Sequence, residues 1–313
     1  MRQDEVLNLV LKLIDESENR DHFFVACKHP KSNGKKTYYK FFLYAYGGQV
    51  CWLNFVNNKC SSLSLGALKR YVDHGLSGLP SRLPNTRAEQ KDLLEKCWLE
   101  MERSHENWAH SPAQEHIERR RENVIAKRNA TLAPGRIAIV DMEANWRSIS
   151  AKLDMVGIRW NGDKLIIDII EYKCTAVGLS GVTLETHYDD MSTVFTESEN
   201  VCVQKESILT SLAIMIEYGL ITVDESIRQA VCDAIERRNA EFELLFLFSH
   251  YDEMNTSKGN LCLRSGYQYI AANENGKEPH TFYTYINRDD FLIEVADSSW
   301  KPFTVEGEFD FVL

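Results

Sequence analysis

The stretch that most constrains the fold covers residues 152–173 and has the pattern of a β-hairpin. Two apolar segments, 152–160 and 164–173, flank the turn sequence Asn161-Gly162-Asp163. An Asn-Gly pair between apolar runs is the strongest short-range signal for a tight hairpin turn. In an antiparallel hairpin the start of the first strand lies beside the end of the second. The sequence therefore predicts two neighbouring strands whose outer ends meet at one end of a sheet.

Charged side chains occupy these outer ends. Asp154 lies near the start of the first strand, and Glu171 and Lys173 lie at the end of the second. Glu171 and Lys173 project together, because residues two apart on a strand point to the same face. Converging carboxylates repel each other unless a cation lies between them, and hard oxygen ligands suit magnesium or manganese. A lysine there can orient or help deprotonate a water and stabilise charge on a phosphate under attack. The alternative is a surface salt bridge at a sheet edge.

This arrangement resembles the PD-(D/E)xK phosphodiesterase superfamily, the fold of restriction endonucleases. The matching residues are Asp154 and the triplet Glu171-Tyr172-Lys173, with 16 residues between the two acids. Lys152-Leu153-Asp154 stands where the family pattern has Pro-Asp. The resemblance covers residues 113–250. It implies that Asp154 and Glu171 bind Mg²⁺ or Mn²⁺, and that Asp154, Glu171 and Lys173 are catalytic.

The predicted elements follow the order of that family's core. They are helix 111–129, strands 136–146, 152–160 and 164–173, helices 182–196, 205–219 and 223–238, and strand 242–251. The last strand is nearly all apolar, as expected for a strand buried on both faces. We therefore predict an α/β protein with a restriction-endonuclease-like αβββαβ core, in which helices flank a mixed central sheet.

Additions on both sides of the core are predicted. The N-terminal α+β region, 1–84, combines the following segments: helix 2–16, strand 22–27, hairpin 37–57, helix 63–73 and linker 74–85. Alternating aromatic residues in the hairpin favour a packed β core over a platform for stacked bases. The core domain is placed at 85–251, where a further helix, 86–110, precedes helix 111–129. The acidic segment 252–313 is predicted to be a β-rich appendage.

Further candidate residues flank the central hairpin. Glu143, on strand 136–146, is the preferred third acid of the catalytic set. Glu115, Glu118 and Glu122 compete with it, although solvated glutamates on a helix face are the favoured interpretation of these three. The resemblance makes His187 and Tyr188, on the helix after the hairpin, candidates to contact the scissile phosphate or the metal-bound water, and a structural role for His187 is the alternative. The basic residues assigned to nucleic-acid binding are Arg119, Arg120, Arg121, Lys127 and Arg128.

Asp168 has no assigned role. It lies in an apolar strand on the face opposite Glu171, so it needs a buried partner. Cys174 directly follows Lys173, and a packing role is favoured for it because no histidine is close in sequence. The eight cysteines show no zinc-binding spacing.

Charge and missing motifs exclude several classes. A net charge of −10 argues against an indiscriminate nucleic-acid binder. Residues 241–313 carry 13 acids against 5 bases, which favours protein contact or masking of the core by this segment. The sequence lacks a G-x-S-x-G motif and a glycine-rich phosphate loop, which leaves acyl transfer and P-loop chemistry unsupported. It also lacks an apolar run of ~18–20 residues and a signal peptide, which predicts a cytoplasmic protein that does not enter membranes.

These observations predict a Mg²⁺-dependent endonuclease that cuts DNA, with regulation by a partner protein or nucleic acid, as in a defence or restriction effector. The alternative is a non-catalytic binding or assembly subunit that retains the fold. The sequence does not distinguish DNA from RNA as the substrate. Nucleases of this fold that cut both strands often pair two active sites, so a homodimer is among the arrangements left open.

Overall fold

The structure is a computed structural model of the chain. It describes residues 4–18, 20–33, 35–46, 48–64, 86, 88–89, 92–93, 95–96, 114–146, 152–174, 184–196, 198–249, 257–286, 290–295 and 300–305. They form a mixed α/β protein with helices and several sheets. The first of two compact units comprises Met1–Lys127 and Ser207–Ile221, and the second comprises Arg128–Glu206 and Thr222–Leu313. This division does not coincide with the predicted boundaries after residues 84 and 251.

The helices agree with most of the sequence predictions. Those of the described residues are Glu5–Glu16, Gln114–Arg128, Leu184–Ser192, Glu199–Glu217, Arg228–Arg237 and Ser257–Glu274. The first begins at Asp4, whose side chain accepts hydrogen bonds from the backbone N–H groups of Val6 and Leu7. Within the described part of the chain, no helix combines the length and apolarity needed to cross a bilayer.

Some predicted elements fall outside the described residues. They include linker 74–85 and most of helix 86–110. The prediction of a helix at 63–73 was wrong at its start, because Leu63 and Ser64 end a strand, and its remaining residues are not described.

The first unit contains a four-stranded antiparallel sheet. Its strands, in spatial order, are β1 (Phe23–Ser32), β2 (Thr37–Ala45), β3 (Gly48–Val56) and β4 (Lys59–Ser64). On one face, the buried rings of Tyr39, Phe41 and Phe55 surround Tyr218. The hydroxyls of Tyr39 and Tyr218 are 2.9 Å apart and share a hydrogen bond. The packed core predicted from the alternating aromatic residues is therefore confirmed for this face.

The second unit is built on a six-stranded mixed sheet. A separate parallel pair joins β5 (Thr131–Leu132) to β9 (Thr222–Val223). The strands of the large sheet, in spatial order, are β12 (Lys301–Pro302), β11 (Thr281–Ile286), β10 (Ala240–Ser249), β8 (Leu165–Lys173), β7 (Lys152–Trp160) and β6 (Ile137–Asn145). Strands β6, β7 and β8 are successively antiparallel, whereas β10 is parallel to both β8 and β11. All nine residues of β8 are buried, as expected for a central strand.

The hairpin β7–β8 has the predicted turn. The Asn161 side chain accepts hydrogen bonds from the backbone N–H groups of Asp163 and Lys164, at 3.0 and 2.9 Å. Gly162 has a φ of 103°, which is favourable only for glycine. Trp160 pairs with Leu165, and the pairing continues to Met155 and Ile170. The start of β7 therefore lies beside the end of β8, as predicted.

The C-terminal region differs from its prediction. Ser257–Glu274 is a helix, so the prediction of a β-rich appendage was wrong there. Tyr267 and Tyr269 alternate as in a strand, but the buried residues Tyr267, Ile270 and Ala271 follow the three- and four-residue spacing of a helix. Strand β11 then pairs with β10 in the central sheet. This segment is therefore part of the second unit's core architecture.

Candidate active site

The structure brings Asp154, Glu171 and Lys173 together at one end of the hairpin. Lys173 Nζ lies 2.5 Å from Glu171 Oε1, and both side chains are buried. Asp154 Oδ2 accepts a hydrogen bond of 2.9 Å from the backbone N–H of Tyr172. Because Tyr172 lies between Glu171 and Lys173, this bond ties the start of β7 to the part of β8 that carries the other two charges.

The environment of Asp154 opposes its ionisation. The pKa of Asp154 is raised to about 7, mainly by burial and also by the charge of Glu171. Lys173, the hydrogen bond from Tyr172 and His187 act in the opposite direction, and their combined effect on the pKa is smaller. Two carboxylates in a protein interior repel each other, and a nearby cation favours their charged forms. When Asp154 is ionised, the two carboxylates outweigh the one positive charge of Lys173, and a bound cation would relieve this excess.

His187 is the fourth side chain of this cluster. It lies on the helix Leu184–Ser192, and its Nδ1 is 3.1 Å from Glu171 Oε1. The pKa of His187 is lowered to about 4, mainly by burial and also by the positive charge of Lys173. The imidazole is therefore neutral near pH 7. The predicted placement of His187 near the site agrees with this geometry.

Tyr188 makes a hydrogen bond within the protein. Its side chain is buried, and its hydroxyl donates a hydrogen bond of 2.7 Å to Glu274 Oε1. Glu274 ends the helix Ser257–Glu274, which comes so close to the helix of Tyr188 that a Cβ on Gly266 would lie 2.6 Å from Leu184 Cβ. Tyr188 therefore joins two helices, and the expected contact with a phosphate is not supported by this geometry.

Glu143 lies next to Asp154 in the register of the sheet. The pairs Met142–Met155 and Ala144–Leu153 flank the position at which Glu143 faces Asp154. The backbone of Glu143 is left-handed, with a φ of 48°. Such a conformation costs about 1–2 kcal/mol in a residue with a Cβ, and strained residues of this kind cluster at functional sites. The position and the strain support the choice of Glu143 as the third acid.

The predicted basic run belongs mostly to the first unit. Its arginines from 119 to 121 and Lys127 are half-buried on the helix Gln114–Arg128, and Arg128 is exposed. Burial lowers the pKa of Arg120, and the neighbouring charge of Arg121 lowers it further. On the same helix, buried Asn123 donates a hydrogen bond of 2.5 Å to the backbone carbonyl of His22. Part of this helix is therefore packed within its unit, and the run is not a fully exposed basic stripe.

The competing glutamates on that helix also differ from their expected solvated state. Glu122 is buried and Glu118 is half-buried, while the side chain of Glu115 lies outside the described residues. Helix position alone did not reveal this, because the packing partners of the helix are distant in sequence.

Asp168 has the buried partner that the sequence required. Arg159 Nε lies 3.2 Å from both of its carboxylate oxygens. The same guanidinium pairs with Glu243 and lies over the Trp300 ring, with Cζ 4.7 Å from the ring centroid. Burial raises the pKa of Asp168 to about 7 despite Arg159, and Glu243 adds to the increase. Arg159 was not predicted as this partner, although it lies two residues from Gly157, which pairs with Asp168 in the hairpin.

The chemistry of Asp154 and Glu171 fits a hard divalent cation. Within the described part of the chain, no group of three or more His, Cys, Asp or Glu side chains is arranged to bind a metal ion. Mg²⁺, however, is often bound by one or two carboxylates together with waters and substrate phosphates. The two carboxylates, whose repulsion contributes to the raised pKa of Asp154, supply that donor set.

Comparison with known proteins identified no relative of the chain. No family model matches the chain, and searches of curated proteins and of solved structures found no significant match.

Proposed function

We propose that the chain is a Mg²⁺- or Mn²⁺-dependent nuclease that hydrolyses phosphodiester bonds, with DNA as its substrate. The observation that carries the proposal is the convergence of half-buried Asp154 with buried Glu171 and Lys173 at one end of β7 and β8. Two carboxylates and one lysine are the groups needed to hold a divalent ion and to act on a phosphate beside it.

The topology of the second unit supports the same proposal. Three successive antiparallel strands, β6 to β8, are followed by helices and by β10, which is parallel to β8. This is the order expected for the αβββαβ core of the PD-(D/E)xK superfamily. The acids also lie on the strands where the resemblance places them.

In this proposal Asp154 and Glu171 hold the ion. When bound, the ion neutralises charge on the phosphate and makes a water more acidic. Lys173 lies beside Glu171, where its ammonium group orients the attacking water or stabilises the negative charge that develops on the phosphate. His187, which is neutral near pH 7, lies beside Glu171 Oε1 and borders the same site.

The alternative is a non-catalytic subunit that retains this fold. The close pairing of Lys173 with Glu171 is the observation that favours it, because a lysine can satisfy a buried carboxylate without any metal ion. Asp154 argues against it. Its raised pKa means that the cluster, without a further cation, does not stabilise the charged form of this carboxyl.

Cleavage assays distinguish the two functions. Supercoiled plasmid, single-stranded DNA and single-stranded RNA are incubated with the protein in Mg²⁺, Mn²⁺ or EDTA, beside Glu171→Gln. The matched control is Glu241→Gln, which removes an exposed carboxylate from the same sheet. The proposal predicts metal-dependent cutting that is lost only in Glu171→Gln. Equal cutting by all three proteins would overturn it, and no cutting by folded wild-type protein would favour the alternative.

A further inference from the structure

The sheet of the first unit has a charge unlike that of the whole chain. From Phe23 to Ser64 the sequence contains six lysines and no Asp or Glu, although the net charge of the chain is −10. A concentration of positive charge in one element of an acidic protein favours an anionic partner for that element.

The strand register collects four of these lysines on one face. Lys31 pairs with Tyr38, which pairs with Val56, which pairs with Lys59. The next row that shares this face contains Lys28, Lys40, Asn54 and Ser62. Residues paired across antiparallel strands lie on the same face of the sheet. This outer face is opposite the one that packs around Tyr218.

Aromatic rings share the outer face with the lysines. Phe42 and Trp52 are stacked, with ring centroids 5.7 Å apart. Lys40 Nζ lies 5.5 Å from the centroid of the Trp52 ring, and Lys28 Nζ lies 5.5 Å from that of Phe42 and 5.2 Å from that of Tyr44. The ammonium groups therefore lie over ring faces, where cations are attracted by the aromatic quadrupole.

The part of the face around the lysine rows is accessible. Tyr38 is 37 % exposed, and Lys31 and Lys59 are exposed. Trp52 and Lys40 are half-buried, whereas Phe42 and Tyr44 are buried. A ligand therefore meets the rings of Tyr38 and Trp52 together with the surrounding ammonium groups.

We propose that this outer face binds single-stranded nucleic acid. Bases stack on Tyr38 and Trp52, and phosphates are bound by Lys28, Lys31, Lys40 and Lys59. Single strands are held in this way by cationic surfaces that carry aromatic side chains, because every base has a π-face and every nucleotide a negative charge. A duplex keeps its base faces stacked internally and offers only the phosphates. The binding surface is independent of the nuclease chemistry proposed for the second unit.

Binding changes the contacts that Lys28 and Lys40 make. In the structure, Lys40 and Lys28 occupy the ring faces. A base that stacks on Trp52 displaces the Lys40 ammonium, which then contacts the adjacent phosphate. The cation–π contact is thus replaced by a base–aromatic stack and a charged hydrogen bond.

The test measures binding to the full chain in EDTA, so that it does not depend on cleavage. Fluorescence anisotropy of labelled (dT)20 and (rU)20 is recorded at several salt concentrations, beside a DNA duplex and unlabelled poly-glutamate as competitor. The variant Lys28→Gln/Lys40→Gln is compared with Lys12→Gln/Lys96→Gln. Both double variants remove two positive charges from the first unit, but Lys12 and Lys96 form exposed ion pairs on helical segments. Trp52→Phe tests the stacking contact through quenching of tryptophan fluorescence.

The proposal predicts that single strands bind more tightly than duplex and that Lys28→Gln/Lys40→Gln weakens binding at least fivefold. The slope of log K against log salt should decrease by about 1.4 in this variant, since each phosphate contact on a single strand contributes about 0.7. Trp52→Phe should lose the fluorescence quenching caused by (dT)20. The proposal is overturned if neither strand binds, if the two double variants behave alike, or if poly-glutamate competes as well as (dT)20. The last result would assign the face to an acidic protein.

Discussion

Lys173 Nζ lies 2.5 Å from Glu171 Oε1, and the two side chains leave the same face of strand β8. The acid and the base are therefore paired before any ligand binds. A lysine in this position has two roles that can be separated, because it neutralises a buried carboxylate and supplies a positive charge for the substrate.

Replacement of Lys173 by glutamine should abolish most of the cleavage activity. We expect a decrease in kcat of about 10²-fold or more, which is typical for the loss of a group that stabilises charge in the transition state. The control is Lys164→Gln, which removes a lysine from the turn of the same hairpin, where it pairs with Glu241. Initial cleavage rates under saturating Mg²⁺ measure the effect. Equal rates for Lys173→Gln and the control would contradict the assignment.

His187 and Tyr188 are neighbours in sequence, and their replacement should have different effects. His187→Gln keeps a neutral polar side chain beside Glu171 and should retain more activity than His187→Ala, because His187 is neutral with a pKa of about 4. Tyr188→Phe removes a buried hydrogen bond to Glu274 and should lower the free energy of unfolding by about 1 kcal/mol, with little effect on cleavage. Cleavage rates and urea unfolding of the same preparations separate the two roles. A large loss of activity in Tyr188→Phe would restore the predicted contact with substrate.

At position 143, glycine should give a more stable protein than alanine, which is the reverse of the usual order in a strand. In a strand, alanine is normally more stable than glycine, but the φ of 48° at this position penalises any residue with a Cβ. Glu143→Gly should therefore be more stable to urea than Glu143→Ala by about 1 kcal/mol. Both variants remove the carboxylate and should have equally reduced activity. A more stable alanine variant would show that the left-handed backbone at this position is not maintained.

Replacement of Asp154 by asparagine should raise the thermal stability of the protein and abolish its activity. Its pKa of about 7 means that ionisation is opposed in the folded protein. Asp154→Asn keeps an oxygen for the hydrogen bond from Tyr172 and removes the charge that Glu171 repels. At pH 8 in EDTA this variant should have a higher Tm than the wild type, and it should be inactive. Mg²⁺ should raise the Tm of the wild type and leave that of the variant unchanged, as measured by scanning calorimetry.

Asp168 should make stability depend on pH. Its pKa is raised from 3.8 to about 7 in the folded protein, so the folded state binds a proton more tightly than the unfolded state. The stability contributed by this proton is present below pH 4 and is lost as the pH rises through 7, a loss on the order of a few kcal/mol. Between pH 5 and pH 8 the wild type should therefore lose more free energy of unfolding than Asp168→Asn. Asp163→Asn, at the exposed turn, is the control and should behave like the wild type.

The hairpin and the cluster at its end could be predicted because their signals are local. The Asn161-Gly162 turn, the alternation of side chains and the positions of Asp154, Glu171 and Lys173 all lie within 22 residues. Once the turn is fixed, the register places these charges without reference to the rest of the chain. The buried environment of Asp168 followed from the same alternation.

Contacts between distant segments could not be predicted in this way. Arg159 pairs with Glu243, which is 84 residues away, and the hydroxyl of Tyr39 meets that of Tyr218 across 179 residues. The helix Ser257–Glu274 was missed because Tyr267 and Tyr269 alternate as in a strand. The face of this helix that is buried is set by contacts with β11, such as the one between Tyr267 and Tyr283, and β11 lies further along the chain.

The parallel pairing of β10 with β11 has a consequence for shortened forms of the protein. Residues from Leu244 to Ser249 pair with residues from Thr281 to Ile286. A truncation after residue 251 would leave this very apolar strand at the edge of the sheet, with its hydrogen-bonding groups unpaired. Such edges pair with other chains, so the truncated protein should aggregate. The segment that was predicted to be an appendage therefore protects the strand beside the hairpin β7–β8 from self-association.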